Sequence, residues 1–226
     1  MRRAVVIFAR SPRAEAAAKR LAGRRGTRLF EAVAASWMRA ARRCGAVVFV
    51  ACERSHRAGF PAGIRFIDQT GASFGERLAA AAGAAFSSGF DSVLVTGIDA
   101  PPPSGLEAEF AAVEGGAARS VVVPSFDGGV NCILLRRHDA ALLVSFEIGD
   151  GTLLGRCRAW FGDGLRELAF VTDIDSAAAT VAARGQPAWR RYADLLLPQD
   201  PDIPAVPQRQ SLCQIRGVSL RAPPAA

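Results

Sequence analysis

Val93-Leu94-Val95-Thr96-Gly97-Ile98-Asp99-Ala100-Pro101 is apolar and β-branched up to Gly97, then delivers one carboxylate before Pro101. A strand buried on both faces, as in the middle of a parallel sheet, has this composition. Open α/β sheets bind ligands in the loops beyond the carboxyl ends of such strands. Asp99 is therefore placed to hold a metal ion beside a phosphate. The same residue could instead cap the following helix, and the segment alone does not choose.

Strand-like and helix-like segments alternate on both sides of it, the pattern of βαβ units. Ala4–Phe8, Ala46–Ala51, Ile64–Ile67, Ser92–Thr96, Ser120–Pro124, Asn131–Leu135 and Leu168–Val171 are the predicted strands. Leu29, Val33, Trp37 and Ala41 recur every four residues, with Phe30, Ala34 and Met38 beside them, and Arg39, Arg42 and Arg43 lie off that stripe. This predicts an amphipathic helix whose stripe is core. Gly75 to Phe90 reads as an alanine-rich helix. Ser104 and Glu107 have capping-box spacing before a helix that Gly115-Gly116 would end.

The expected fold is α/β: a single Rossmann-like domain over residues 1–190 with a mostly parallel sheet. A Pro-rich C-terminal tail is expected over residues 191–226. Five scattered cysteines without a C-x-x-C pair argue for reduced thiols and against a zinc site. The longest apolar runs, such as Ala46–Cys52, fall far short of the roughly 20 residues that span a bilayer. The first residues lack the pattern of a signal peptide, so a cytoplasmic protein with no membrane partner is expected. The first 60 residues carry 14 basic and three acidic side chains, against 14 and 18 in the remainder. An anionic ligand near the start of the chain follows. Aromatic interleaving and DNA-binding motifs are missing, which argues against nucleic acid as that ligand.

Several loops carry polar residues suited to such a ligand. Arg10, Arg13, Lys19 and Arg20 follow the first strand, where guanidinium forks and backbone N–H groups suit a di- or triphosphate; a solvated basic face is the other reading. In Gln69-Thr70-Gly71-Ala72-Ser73-Phe74-Gly75, the glycines permit close approach to a ligand, and the Gln69 amide can both donate to and accept from a nucleobase. Asp127-Gly128-Gly129-Val130-Asn131 begins as a common turn. Asp173-Ile174-Asp175 offers paired oxygens of the kind Mg²⁺ shares with substrate phosphates.

Taken in order, these segments resemble the bacterial glycosyltransferase-A-like family of the rSAM/selenodomain-associated transferase type. They are more distantly similar to 2-phospho-lactate guanylyltransferase and the molybdenum-cofactor guanylyltransferases. Phe8, Ala9, Pro12, Arg20 and Leu21 match the family's F-A-K-x-P-x-x-G-x-x-K-T-R-L, with Arg10 in place of its lysine. Gly75 to Leu78 match G-E-R-L; Gly97, Asp99 and Pro101 match G-x-D-x-P; Asp127 to Gly129 match D-G-G; Asp173, Asp175 and Ser176 match D-x-D-(T/S). Asn131 before Cys-Ile-Leu-Leu is closer to the guanylyltransferase branch. The chain departs from the pattern at Ala14-Glu15, which stands where the family has Pro-Gly, at Ala18-Lys19 for Lys-Thr, at Ala100 and Pro102, and at Val130.

The resemblance implies a transferase that uses an activated nucleotide with Mg²⁺ or Mn²⁺. Asp99 and Asp175 would share the metal, with Asp173 as a neighbouring or substituting ligand. Arg10, Arg13, Lys19 and Arg20 would hold phosphates. Gln69, Gly71 and Gly75 would line the nucleoside pocket, and Asp127, Gly128, Gly129 and Asn131 would face a small-molecule acceptor. Nucleotidyl transfer from an NTP is slightly favoured, because the first loop is basic and Asp99 stands without a paired Asp. Glycosyl transfer from a nucleotide sugar and a degenerate, non-catalytic nucleotide-binding or scaffold domain are the alternatives. A homodimer is compatible with the sequence.

Overall fold

The five-residue connection between Pro124 and Val130 is too short to cross a sheet, so the two strands it joins must run antiparallel. Gly128 turns this hairpin at φ +89°, and Ser125 N–H donates to the Gly129 carbonyl at 3.0 Å. The rest of the sheet arranges itself around that reversal. The computed structural model describes residues 1–21, 23–147 and 151–196. Its strands are β1 (Arg3–Phe8), β2 (Val47–Ala51), β3 (Arg65–Ile67), β4 (Ser92–Thr96), β5 (Ser120–Pro124), β6 (Val130–Arg136) and β7 (Leu165–Glu167). They form one seven-stranded sheet in the order β3-β2-β1-β4-β6-β5-β7. β6 pairs antiparallel with β4 and β5, and every other pairing is parallel. This is the expected mostly parallel α/β fold.

Alternating strand residues feed two cores, as a period of two requires. Val5, Ile7 and Leu94 pack with α2 (Arg24–Arg43) and α4 (Leu106–Glu114). Ala4, Val6, Val93 and Val95 pack with α3 (Phe74–Ser87), the 3-10 turns of Arg137–Ser145 and α5 (Leu153–Phe161). The predicted stripe on α2 is buried throughout, with Leu29, Phe30, Val33 and Trp37 no more than 1% exposed. Two short helices, α1 (Pro12–Ala18) and α6 (Ala177–Ala183), complete the described elements.

Strand ends shift by a residue in β1, β2, β3 and β6, the α3 helix ends at Ser87 rather than Phe90, and other differences from the sequence reading go further. The seventh strand is Leu165–Glu167, paired with Ser120–Val122, and Leu168–Val171 only continues alongside β5 through Leu168 and Val171 N–H bonds. An edge segment with one partner sustains little ladder, whatever its apolarity. Ser104 caps no helix: α4 starts from Gly105 at φ 73° without a side-chain cap, because Pro101-Pro102-Pro103 delivers an extended, donor-poor chain to that turn. The capping box lies instead at Ser73 and Glu76, starting α3 one residue before the predicted Gly75.

Within residues 191–196, assigned to the tail by composition, Tyr192 and Leu196 are buried beside Trp189 in the core that α2 also fills. The remainder of that tail, 197–226, lies outside the described residues. Cys44, Cys52, Cys132 and Cys157 are free and buried. Among the described residues no helix is long and apolar enough to cross a membrane.

Gly75 sits where α3 meets the Arg137–Ser145 turns. A Cβ there would lie 2.3 Å from the Val144 carbonyl oxygen and 2.6 Å from that of Leu143. Since backbone cannot rotate away as a side chain can, Gly75→Ala is expected to destabilise the fold by about 2 kcal/mol or more, measured by urea denaturation.

Candidate functional site

Three carboxylates meet at the carboxyl edge of the sheet. Asp99 follows β4, and Gly97 leaves room for it: a Cβ on Gly97 would stand 2.5 Å from Asp99 Oδ1. The buried Trp37 indole of α2 donates to the Ala100 carbonyl at 2.8 Å and anchors this loop from beneath. Asp173 and Asp175 arrive on the segment after β7, and the Ile174 N–H donates to the Asp99 carbonyl at 2.8 Å, binding the two loops together. One oxygen each from Asp99, Asp173 and Asp175 lie within 4.8 Å of one another. The alternative reading of Asp99, as a helix cap, is not what the structure shows.

Such crowding requires neutralisation. Lys19, at the end of α1, places Nζ 3.3 Å from Asp99 Oδ2, hydrogen-bonds Asp175 Oδ1, and lies 3.9 Å from Glu15 Oε1. Burial opposes its charge, but Asp99, Asp175 and Glu15 together hold its pKa above the ordinary lysine value. Burial also pushes the Asp173 carboxyl up, to about 7, helped by its hydrogen bond with Asp175 and by the charge of Asp99 and opposed by the Ser125 hydroxyl. Burial disfavours charge on Asp175 as well, yet the bonds from Asp173 and Lys19 prevail and keep it low. An ammonium therefore sits among these acids, and burial favours a proton on Asp173. Glu15, 8% exposed, has its own pKa raised by burial and by Asp99.

These groups line a cavity of about 570 Å³. Lys19, Arg10, Gln69, Asp127, Gly129 and Asn131 share its wall with the three aspartates. Arg13, Arg20, Gly71, Gly75 and Gly128 do not line it. Arg13 and Arg20 are exposed, and Arg20 takes a left-handed φ of 58° at the end of the α1 turn. Gly75 and Gly128 serve close packing, the latter facing the Gly151 carbonyl, to which a Cβ would come within 2.1 Å. The sequence reading of a four-residue basic cradle and a glycine-lined pocket thus contracts to Arg10 and Lys19, with Gln69 alone from the second loop. The Gln69 amide donates to the Ala51 carbonyl at 2.8 Å, which commits one of its two N–H donors. Asn131 donates to the Val171 and Pro124 carbonyls; its amide clamps the β7 segment rather than presenting donors to a ligand.

Ser125, Glu15 and Trp37 act on the site without having been picked out by sequence. Ser125 follows a strand and Glu15 precedes Lys19 by one helical turn, signals that point to them only once the loops are in place.

Three oxygens at this separation fit a hard divalent cation such as Mg²⁺ or Mn²⁺, which is bound by one or two carboxylates plus substrate phosphates. A sheet in this order, with acids and a lysine at its carboxyl edge, defines the glycosyltransferase-A-like class of nucleotide-diphospho-sugar transferase folds. The chain belongs to the family described as "Uncharacterized protein conserved in bacteria (DUF2064)", which matches residues 33–150; that span includes Asp99 but neither Lys19 nor Asp173 and Asp175. A provisionally named nucleotide-diphospho-sugar transferase from Desulfovibrio desulfuricans G20 superposes with a TM-score of 0.70 at 18% identity, covering 87% of this chain and 94% of that one. The CMP:2-keto-3-deoxy-manno-octonic acid synthetase complexed with CTP gives 0.54 at 15%, covering 80% and 96%. Rv0371c of Mycobacterium tuberculosis H37Rv, in complex with manganese, gives 0.50 at 20%, covering 87% and 98%. At these identities the likeness is one of fold. No curated protein sequence matches the chain.

The raised Asp173 pKa gives a signed expectation. Its contribution to stability is fully present below the ordinary 3.8 and is lost as pH rises through about 7. Thermal unfolding of metal-free protein should show wild type losing stability relative to Asp173→Asn between about pH 4 and 7. Because the ion competes with that proton, Mn²⁺ affinity measured by calorimetry should increase with pH and level off above about 7.

Proposed function

We propose that the protein is a divalent-metal-dependent transferase that uses an activated nucleotide. The observation that carries this reading is the Asp99–Asp173–Asp175 cluster held by Lys19 at the mouth of the cavity. The nucleotide and manganese in the structures of similar fold support it, as do the five motifs that resemble the rSAM/selenodomain-associated transferases. Bound at the three aspartates, Mg²⁺ or Mn²⁺ would supply neutralisation and Lewis-acid polarisation of phosphate oxygens.

The chain's own residues do the rest. Lys19 and Arg10 place two cations at the mouth, where they bind phosphate and stabilise negative charge on the departing group. Asp99 and Asp175 fix the Lys19 ammonium so that no reorganisation is needed at the moment of transfer. We favour nucleotidyl transfer: an acceptor phosphate oxygen bonds to the α-phosphorus of an NTP, the α–β phosphoanhydride bond breaks, and pyrophosphate departs with the bond's electron pair. The Asn131 segment's similarity to the guanylyltransferases supports it. Glycosyl transfer from a nucleotide sugar is favoured by a different observation, that only two of the four basic residues of the first loop line the cavity, since a diphosphate needs fewer cations than a triphosphate.

A thermal-shift panel of the four NTPs and of nucleotide sugars with Mn²⁺ tests this. Stabilisation by an NTP with pyrophosphate release supports the first reading, and stabilisation by nucleotide sugars alone supports the second. No response to any of them defeats both and leaves a non-catalytic domain. Asp99→Ala should abolish the metal-dependent shift. Lys19→Met should bind Mn²⁺ more tightly, having lost the resident cation, yet turn over at least about 100-fold more slowly.

A further inference from the structure

We propose that the inner wall of the cavity receives an acceptor with an apolar body and one acidic group, and that Arg77 binds that group. This rests on the transferase reading above and specifies its acceptor.

Arg77 lies in the first turn of α3 and lines the cavity with Phe8, Phe74, Leu78, Val95, Leu143 and Phe146. Phe8 and Phe74 meet edge to face at 5.6 Å and form one apolar corner. The Arg77 Nε is buried without a hydrogen-bond partner. Six other buried side-chain atoms share that condition among the described residues. Five of them belong to residues whose side chains bond elsewhere: Arg57 to Asp68, Arg136 to Val113, Arg184 to Leu196, Glu109 to Arg166 and Asp139 to Arg119. The sixth is the Tyr192 hydroxyl, far from this wall in the α2 core.

Arg77 differs from all of these. Among the described residues its guanidinium makes no hydrogen bond or ion pair, although Glu53 and Glu147 are among the carboxylates that line the same cavity. A half-buried cation with idle donors on an apolar wall is costly unless a ligand completes it. A guanidinium only donates, so its complement is an acceptor-only group, a carboxylate or phosphate, in fork geometry. A guanine edge, with its O6 and N7 acceptors, also suits a guanidinium fork, and the nucleotide arm below distinguishes that occupant.

Phenyl phosphate is a suitable probe, read by thermal shift without metal against benzyl alcohol and inorganic phosphate at equal concentration. Phenyl phosphate should raise the wild-type Tm by about 3 °C or more, with the alcohol and the bare anion each giving less than a third of that. Arg77→Met should lose this response and Arg77→Lys should keep part of it, while Asp99→Asn retains it in full. Without ligand, Arg77→Met should melt at or above the wild-type temperature, since a buried unpaired donor has been removed. An equal response to all three probes, or a response unchanged in Arg77→Met, overturns the proposal. So does a lowered Tm of unliganded Arg77→Met, which assigns the residue a structural partner.

The nucleotide arm separates this proposal from the one beneath it. Arg77→Met should keep the NTP or nucleotide-sugar shift with Mn²⁺, and loss of that shift in this variant alone moves Arg77 to the nucleotide. Absence of any nucleotide shift in wild type, with the phenyl phosphate response intact, defeats the transferase reading and leaves the anion pocket standing.

Discussion

Mutual repulsion among Asp99, Asp173 and Asp175 sets the terms on which the carboxyl edge of this sheet can exist. Carboxylates within 4.8 Å of one another cannot all be ionised without a counter-charge. The chain answers in three ways. A lysine enters from α1, burial makes Asp173 give up its proton less readily, and the backbone bond from Ile174 to Asp99 holds the loops together against the repulsion. These answers draw on three distant stretches of the chain, at Lys19, at Asp99 and at Asp173-Ile174, so the cluster reports on the closure of the whole sheet.

The reversed strand β6 makes that closure geometrically possible. Because it runs against its neighbours, its beginning lies beside the ends of β4 and β5. Asn131 can then reach the carbonyls of Pro124 and Val171 and fix the segment that carries Asp173. The same reversal leads the chain into the Arg137–Ser145 turns, which pack on α3 around Gly75 and supply the apolar wall of the cavity. One hairpin thus positions a carboxylate-rich edge on one side and a hydrophobic compartment on the other.

Much of this was legible in the chain. β4 and β5 were read with their observed bounds, because short β-branched runs ended by Gly or Pro have few other structures open to them. The family resemblance pointed to one site for Asp99, Asp173 and Asp175, and their oxygens do lie within 4.8 Å of one another. What stayed hidden depends on partners distant in sequence. An arginine after β1 looks the same whether it faces the cavity, as Arg10 does, or solvent, as Arg13 and Arg20 do. Gly71, Gly75 and Gly128 carry the same local signal whether a ligand or a neighbouring carbonyl occupies the freed space. Trp37 was legible as core, but its bond to Ala100 was not, since periodicity gives a residue's face and not its polar partner.

The ammonium of Lys19 has a consequence for how the molecule is made. A cluster that already contains its own cation can reach its native arrangement without waiting for an inorganic one. Assembly of the sheet therefore does not have to await an inorganic ion. Folding of the chain and occupation of its carboxylates by any outside cation are separate events.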